Sequence, residues 1–424
     1  MYLGIDFGTT GARACVIDTS ETVQHEERFA YPHPESQTPD DWKLALHRLL
    51  SGIPANIRSN LLRIAIDATS GTVLLCDANL KPVSPALLYN DTRAQHEARQ
   101  LKELAPEAHI GSQANSGLAK FLWLVNHCDT ADAAFMMHQA DWLSALLTGH
   151  GGVTDYHNAL KTGFDVERLC WPDWIRQLPK SHLLPHVVAP GHQTGELSPA
   201  IASAFGLNPD CTLHAGTTDS IAAFIAARVN MPGDAVTSLG TTLALKLLSK
   251  VKVDDARFGI YSHRYGDLWL AGGASNAGAG ILKRFFTDEQ IISLSQQIDP
   301  ETDSELDYYP LPCAGERFPV YNPSLQPRLA PRPKNDAAFL HGLLQSLSKI
   351  EADGYKKLAE AGATHVSRVS SSGGGAKNPV WQQIRHRILN VPVTMAVHSE
   401  ASFGSALLAK YAGITPPLTH SLFI

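Results

Sequence analysis

Four short stretches of this 424-residue chain hold the residue types that phosphate chemistry needs. The first, GIDFGTTGAR (Gly4 to Arg13), ends an apolar run on Asp6 and continues through Gly8, Thr9, Thr10 and Gly11. A turn of small residues leaves backbone N–H groups free to converge on an anion, threonine hydroxyls add donors, and glycine lets a phosphate approach the backbone. A carboxylate ending a buried strand needs a partner, and Mg²⁺ bound to phosphate supplies one. The second stretch, SLGTTLALK, repeats the pattern at Gly240, Thr241 and Thr242. Two such turns in matching contexts can grip a polyphosphate. In the third, HAGTTDSIAAFIAA, a further glycine–threonine turn precedes Asp219 at the head of an apolar helix. Alone, Asp219 reads as an N-cap. Beside two phosphate turns it becomes a candidate general base that takes a proton from an attacking hydroxyl. The fourth, SSSGGGAKNPVWQQI, sets Gly373, Gly374 and Gly375 between a strand and a proline-started helix. Three glycines admit a flat ligand close to the backbone, with Asn378 and Trp381 placed to contact an adenine.

Other chemistries fit poorly. Asp-Phe-Gly also occurs in protein kinases, but five residues ahead of Asp6 leave no room for their H-R-D and lysine motifs. The sequences G-x-x-x-x-G-K-S/T, G-x-G-x-x-G and H-E-x-x-H do not occur. The six cysteines lie far apart without a C-x-x-C pair, as apolar fillers in a reducing compartment do. His138, His182, His186 and His192 lack metal-ligand spacing and read as surface or loop histidines. Trp171 and Trp174 read as a packed loop, and His263 to Asp267 as a solvated turn. The net charge of −6 argues against nucleic acid or an acidic membrane as partner. No stretch approaches the roughly 18 apolar residues of a membrane span, and no secretory leader is evident. The cytoplasm is the expected location.

The elements that must position these residues follow from periodicity. YLGID reads as a strand, ARACVID as its return, and TVQHEERFAYP as a third strand. A helix is predicted over residues 38–53. Thr38 caps it, Pro39 opens it, and Trp42, Ala45, Leu46, Leu49 and Leu50 share one face. LLRIAIDATSG and TVLLCD add strands. The second half repeats strand, Gly-Thr-Thr turn and strand, then a strand pair and a glycine-rich turn opening a helix. A long helix follows from Asp336 to about Ala361, then strand, glycine loop, helix, strand and a last helix. A motif recurring after more than two hundred residues implies two similar domains. Pro232-Gly233 marks the break, giving domains 1–230 and 231–424.

Taken in order, these stretches resemble the FGGY family of carbohydrate kinases, of the sugar kinase, Hsp70 and actin superfamily. SGLAKFLWLVNH, with Lys120 and Trp123, FLHGLLQSLSKIEADGY and YNDTRA are similar to further family segments. The resemblance implies an α/β fold of two actin-like (RNase H-like) domains flanking a central cleft, with ATP and Mg²⁺ as cofactors. It implies that Asp6 organises Mg²⁺ and the γ-phosphate with Thr9 and Thr10, and that Asp219 is base and second metal contact. Gly11, Arg13, Ser70, Asp91 and the two aspartates would meet a ketopentose. Gly240 and Thr241 would hold phosphate, and Gly374, Gly375, Asn378 and Trp381 the adenosine. The compact length, DFGTTGAR and ATSGT look most like the D-ribulose kinases of cyanobacteria and plants. Xylulose kinases usually carry His-Gly where this chain has Ser70-Gly71. D-Xylulose, L-ribulose or a polyol is the alternative substrate, and an actin-like ATPase switch binding protein is the alternative class. The expected assembly is a monomer or homodimer.

Overall fold

The computed structural model describes residues 1–107 and 109–413. They form two compact units, residues 1–226 joined by the stretch from Glu400 onward, and residues 227–399. Each unit is built on a six-stranded sheet.

The first sheet contains β1 (Tyr2–Phe7), β2 (Gly11–Ile17), β3 (Val23–Ala30), β4 (Arg63–Ala68), β5 (Gln193–Glu196) and β6 (Thr212–Thr218), ordered β3-β2-β1-β4-β6-β5. β1 to β3 form an antiparallel meander, while β4 and β6 lie parallel to β1. The second sheet contains β7 (Asp234–Leu239), β8 (Leu243–Ser249), β9 (Tyr261–Tyr265), β10 (Leu268–Ser275), β11 (Arg368–Ser372) and β12 (Val393–Met395), ordered β9-β10-β8-β7-β11-β12. Each sheet thus opens with a hairpin closed by Gly-Thr-Thr and continues on its other side with a parallel strand.

Alternation along β1 decides what each face of the first sheet meets. Leu3, Ile5 and Phe7 pack in one core with Trp42, Leu46, Leu49 and Leu50 of helix α1 (Pro39–Gly52). The Thr38–Asp41 capping box and Pro39 start that helix where the sequence predicts. Gly4 and Asp6 point to the opposite face. A Cβ on Gly4 would fall 2.0 Å from the Ser402 carbonyl oxygen and 2.1 Å from the Ala406 nitrogen. Only glycine lets the last helix sit this close to the strand.

Three further helices matter below: α2 (Gly117–His127), α3 (Asp219–Ala226) and α4 (Asp336–Glu360). They are followed by α5 (Pro379–Leu389) and α6 (Ala401–Tyr411). The second domain is expected to extend to residue 424, but α6 returns to the first unit. Gly404 packs there against α3, where a Cβ would lie 1.8 Å from the Ala222 carbonyl oxygen. α6 carries Phe403, Leu407 and Tyr411 on one face, packed with Cys15 and Ile17 of β2, but an apolar stripe alone does not say which sheet it covers. Residues 414–424 of the expected second domain lie outside the described residues.

Three local expectations change. The Gly-Thr-Thr before Asp219 is the end of strand β6 and not a turn, and a Cβ on Gly216 would lie 1.6 Å from the Ile66 carbonyl oxygen of β4. His138 is fully buried, its Nδ1 2.8 Å from Asp141 and 3.0 Å from Thr154, and its Nε2 2.8 Å from Thr162. His182, His186 and His192 are exposed. His263 and Tyr265, expected in a solvated turn, are buried strand residues of β9.

In the second unit, Arg385 of α5 meets Glu351 of α4 through two bonds of 2.6 and 2.7 Å and donates to Ser371 of β11 at 2.6 Å. Glu351 also accepts from Thr237 of β7 at 2.6 Å. All four residues are buried. The network ties two helices to the neighbouring strands β7 and β11, whose ends carry the glycine turns.

Candidate active site

β1 and β4 run parallel with Asp6 directly beside Asp67, and β6 sets Thr217 beside Asp67 before the chain enters α3 at Asp219. Three adjacent parallel strands therefore deliver three carboxylates at the same end. Asp6 is 5 % exposed and Asp67 fully buried. The two lie close enough to share a proton, and the charge of Asp219 reaches both. Burial pushes Asp6 up to about 6; the bond from Asp67 pulls it down and the Asp219 charge pushes it further up. Burial, and next the Asp6 charge, pushes Asp67 well above the usual carboxylate range. Oδ1 of each is buried with no protein donor. Two acceptor-only groups side by side satisfy one another by sharing a proton, or by meeting a cation.

Asp67 joins the site only through the pairing of β4 with β1. The signal for it is that β4 ends in Ile66-Asp67 as β1 ends in Ile5-Asp6. Glu400 and Ser405 likewise join only on the α6 segment. Ser405 Oγ donates to Asp67 Oδ2 at 2.5 Å. Arg13 Nη1 lies 2.9 Å from Glu400 Oε2 and 3.9 Å from Asp6 Oδ2. Arg13, expected at the sugar, thus pairs with carboxylates of its own unit.

The first glycine turn has space beside Asp6. Its N–H at Gly8 donates to the Gly11 carbonyl at 3.0 Å. A Cβ on Gly8 would meet nothing closer than that oxygen at 3.6 Å and the Asp6 carboxylate at 3.8 and 3.9 Å. Thr9 and Thr10 are exposed, and their carbonyls accept from Gln37 Nε2 and the Tyr31 N–H. Gly11, expected as a sugar contact, has a packing reason of its own: a Cβ there would lie 2.2 Å from the Phe29 carbonyl oxygen.

Lys120 of α2 organises the loops that carry Ser70 and Asp91. It is fully buried, and its Nζ donates to the carbonyls of Gly71 at 2.8 Å, Leu88 at 2.6 Å and Tyr89 at 3.1 Å. Burial draws its pKa down to about 8, partly offset by the Asp91 charge. Gly71 sits at φ +76°, a left-handed conformation that favours glycine after Ser70. Asp91 itself pairs with Arg93 at 2.9 Å.

The second unit repeats the turn with one difference. A Cβ on Gly240 would meet only Thr242 O at 3.7 Å and Ser238 Oγ at 3.8 Å. Ser238 stands two residues before the glycine, as Asp6 does in the first unit, so the acid is present once. Gly278 and Gly280 brace the turn, since a Cβ on either would lie within 3.0 Å of Thr241 atoms.

In the triple glycine, Gly373 has φ +82° and would place a Cβ 2.9 Å from the Leu239 carbonyl oxygen. Gly374 has nothing within 4 Å. Gly375 lies over Trp381, 2.4 Å from its ring if a Cβ were added. Trp381, expected against adenine, is 1 % exposed and donates its indole N–H to Ser348 at 3.1 Å. Its ring is core and shapes the loop from beneath, so a direct adenine contact does not fall to it. Asn378 caps α5 by accepting from the Trp381 N–H at 3.1 Å, and its amide donates to Ser295 at 2.8 Å.

Among the described residues no three His, Cys, Asp or Glu side chains converge as a metal cage. A divalent ion carried by nucleotide phosphates needs only one or two protein oxygens. The undonated Oδ1 of Asp6 and the gap at Gly8 fit such an ion.

Residues 1–226 match the N-terminal domain of the FGGY family of carbohydrate kinases, and residues 235–413 match its C-terminal domain. The chain belongs to the FGGY family. This FGGY kinase is 23 % identical to the gluconokinase of Bacillus subtilis over 464 residues, covering 97 % of this chain and 87 % of that one. It is 26 % identical to the xylulose kinase of Staphylococcus epidermidis over 443 residues, covering 97 % and 88 %. The crystal structure of a xyloylose kinase from Brucella ovis superposes with a TM-score of 0.83 at 22 % identity, covering 99 % of this chain and 93 % of that one. The fold is accordingly the two-domain actin-like ATPase fold of sugar kinases. The enzyme is a phosphotransferase of a family that uses ATP with a divalent metal. None of its described helices is long and apolar enough to cross a membrane.

Proposed function

We propose that this kinase transfers the γ-phosphoryl group of ATP to the terminal hydroxyl of a ketopentose, best D-ribulose, giving D-ribulose 5-phosphate. The observation that carries the transfer is the buried Asp6 with its undonated oxygen, beside a glycine turn left open, with Asp219 at the same end of the sheet two strands away. Mg²⁺ bound with ATP supplies charge neutralisation on the phosphates. Asp6 holds it, with Asp219 as a second carboxylate nearby. Asp219 accepts the proton of the attacking hydroxyl. Thr9, Thr10, Gly240 and Thr241 offer donors to phosphate oxygens, and Gly374 an open backbone edge to the adenosine. The reaction asks for alignment and charge cover more than covalent help.

The choice of sugar rests on Ser70, a small hydroxyl before a left-handed glycine that Lys120 fixes through its carbonyl. D-Xylulose is the second reading, favoured by the xylulose kinases among the relatives. The test is ATP consumption across D-ribulose, D-xylulose, L-ribulose, polyols and gluconate, with a no-sugar control. Highest kcat/KM with D-ribulose is expected. A higher value for another sugar overturns the substrate, and no turnover above the control overturns the kinase reading for all of them.

A further inference from the structure

We infer that Asp67 is a positioning residue that works through Asp6, holding the Asp6 carboxylate in the orientation that receives the metal–nucleotide. The inference rests on the proposed role of Asp6. The two aspartates occupy the same register position on parallel neighbouring strands. Their carboxyls lie close enough for one shared proton to bridge them. Asp67 is fully buried, so it serves no solvent-facing purpose.

Its other oxygen is fixed from the opposite side by Ser405 Oγ at 2.5 Å. Ser405 is held in turn by α6, which packs onto Gly4 of β1 and onto α3 behind Asp219. A chain of contacts therefore runs from α6 through Ser405 and Asp67 to Asp6. A carboxylate beside a glycine gap has rotamer freedom, and without Asp67 nothing on the β4 side restrains it. Arg13, 3.9 Å from Asp6 and already 2.9 Å from Glu400, restrains it weakly.

An amide has the shape to replace Asp67, offering an acceptor to Ser405 and a donor to Asp6. An alanine offers neither. Groups that orient a metal-binding carboxylate typically change metal affinity about 10–100-fold when removed. The experiment is Mn²⁺ binding in the presence of ADP, followed by electron paramagnetic resonance on the full chain, for wild type, Asp67→Asn, Asp67→Ala and Ser405→Ala. Thermal unfolding of each apo protein reports whether it is folded.

The expected result is Mn²⁺ affinity about 10–100-fold weaker in Asp67→Ala, rescued to within about threefold in Asp67→Asn. Ser405→Ala should fall between them, and it decides the matter if Asp67→Ala does not fold. Unchanged affinity in a folded Asp67→Ala, or in Ser405→Ala when the former is unfolded, overturns the inference. Equal losses in the Asn and Ala variants overturn it too, because they would mean that charge and not orientation is at stake. If wild type binds no Mn²⁺ with ADP, the role of Asp6 fails first, and the inference with it.

Discussion

Lys120→Met removes the donor group that joins three carbonyls of the loops carrying Ser70 and Asp91. The methionine fills a similar volume, so packing changes little and the lost bonds dominate. Hydrogen bonds to charged groups are worth about 1.5–3 kcal/mol each, and Lys120 makes three. Against this stands the cost of burying the ammonium. A pKa drawn from 10.5 to about 8 corresponds to about 3 kcal/mol against the charged form. The difference leaves a net loss of about 1.5–6 kcal/mol, which for a unit of this size lowers the melting temperature by roughly 3–24 °C. Because Gly71 O and the carbonyls at 88–89 lose their common anchor, the sugar KM should rise more than kcat falls. The assays are calorimetric melting and steady-state kinetics with varied sugar at saturating ATP.

The pH dependence gives an independent check. Lys120 is a base with a lowered folded pKa, so the unfolded chain binds the extra proton between about pH 8 and 10.5. The pH-linked part of the Lys120 contribution is therefore fully present above about 10.5 and is lost as pH falls through about 8, leaving the hydrogen-bond part. The stability gap between wild type and Lys120→Met should widen as pH rises from 8 to 10. A folded Lys120→Met with wild-type melting temperature and sugar KM would refute the reasoning.

Asp219→Asn should lower kcat by about 10²–10⁴ while ADP affinity stays near wild type, read by single-turnover kinetics and calorimetry. Unchanged turnover would remove Asp219 from the base role. Asp6 is a carboxyl with a raised folded pKa, so its contribution to stability is full below about pH 4 and is lost as pH climbs through about 6. Without metal or nucleotide, Asp6→Asn should therefore gain about 1–2 kcal/mol on wild type between pH 5 and 8; a gap independent of pH would show that Asp6 is ordinary. Glu351→Gln leaves the buried Arg385 without its charge partner and should cost about 3–5 kcal/mol in denaturant unfolding. A loss below about 1 kcal/mol would mean that water reaches the network. Gly375→Ala would push a methyl into the Trp381 ring, so ADP affinity should drop with little change in sugar KM, measured by titration calorimetry.

The sequence by itself determined the parts whose causes are local. The apolar runs that end in Asp6, the two Gly-Thr-Thr hairpins, the capped helix after Thr38 and the Asp219 helix start all depend on residues within a few positions of one another. Periodicity and turn chemistry suffice for these, and their recurrence announced two related units. Tertiary structure decided which groups share a neighbourhood. Asp67 became a partner of Asp6 only through the parallel pairing of strands some sixty residues apart. Ser405 and Glu400 reached that pair only because α6 returns to the first sheet, and an apolar stripe alone does not reveal its target. Trp381 reads as a ligand contact and His138 as a surface or loop histidine in one dimension, and both are core groups in three. Local order follows from short-range sterics and hydrogen bonding, whereas burial and charge coupling come from contacts far apart in the chain, which no single stretch encodes.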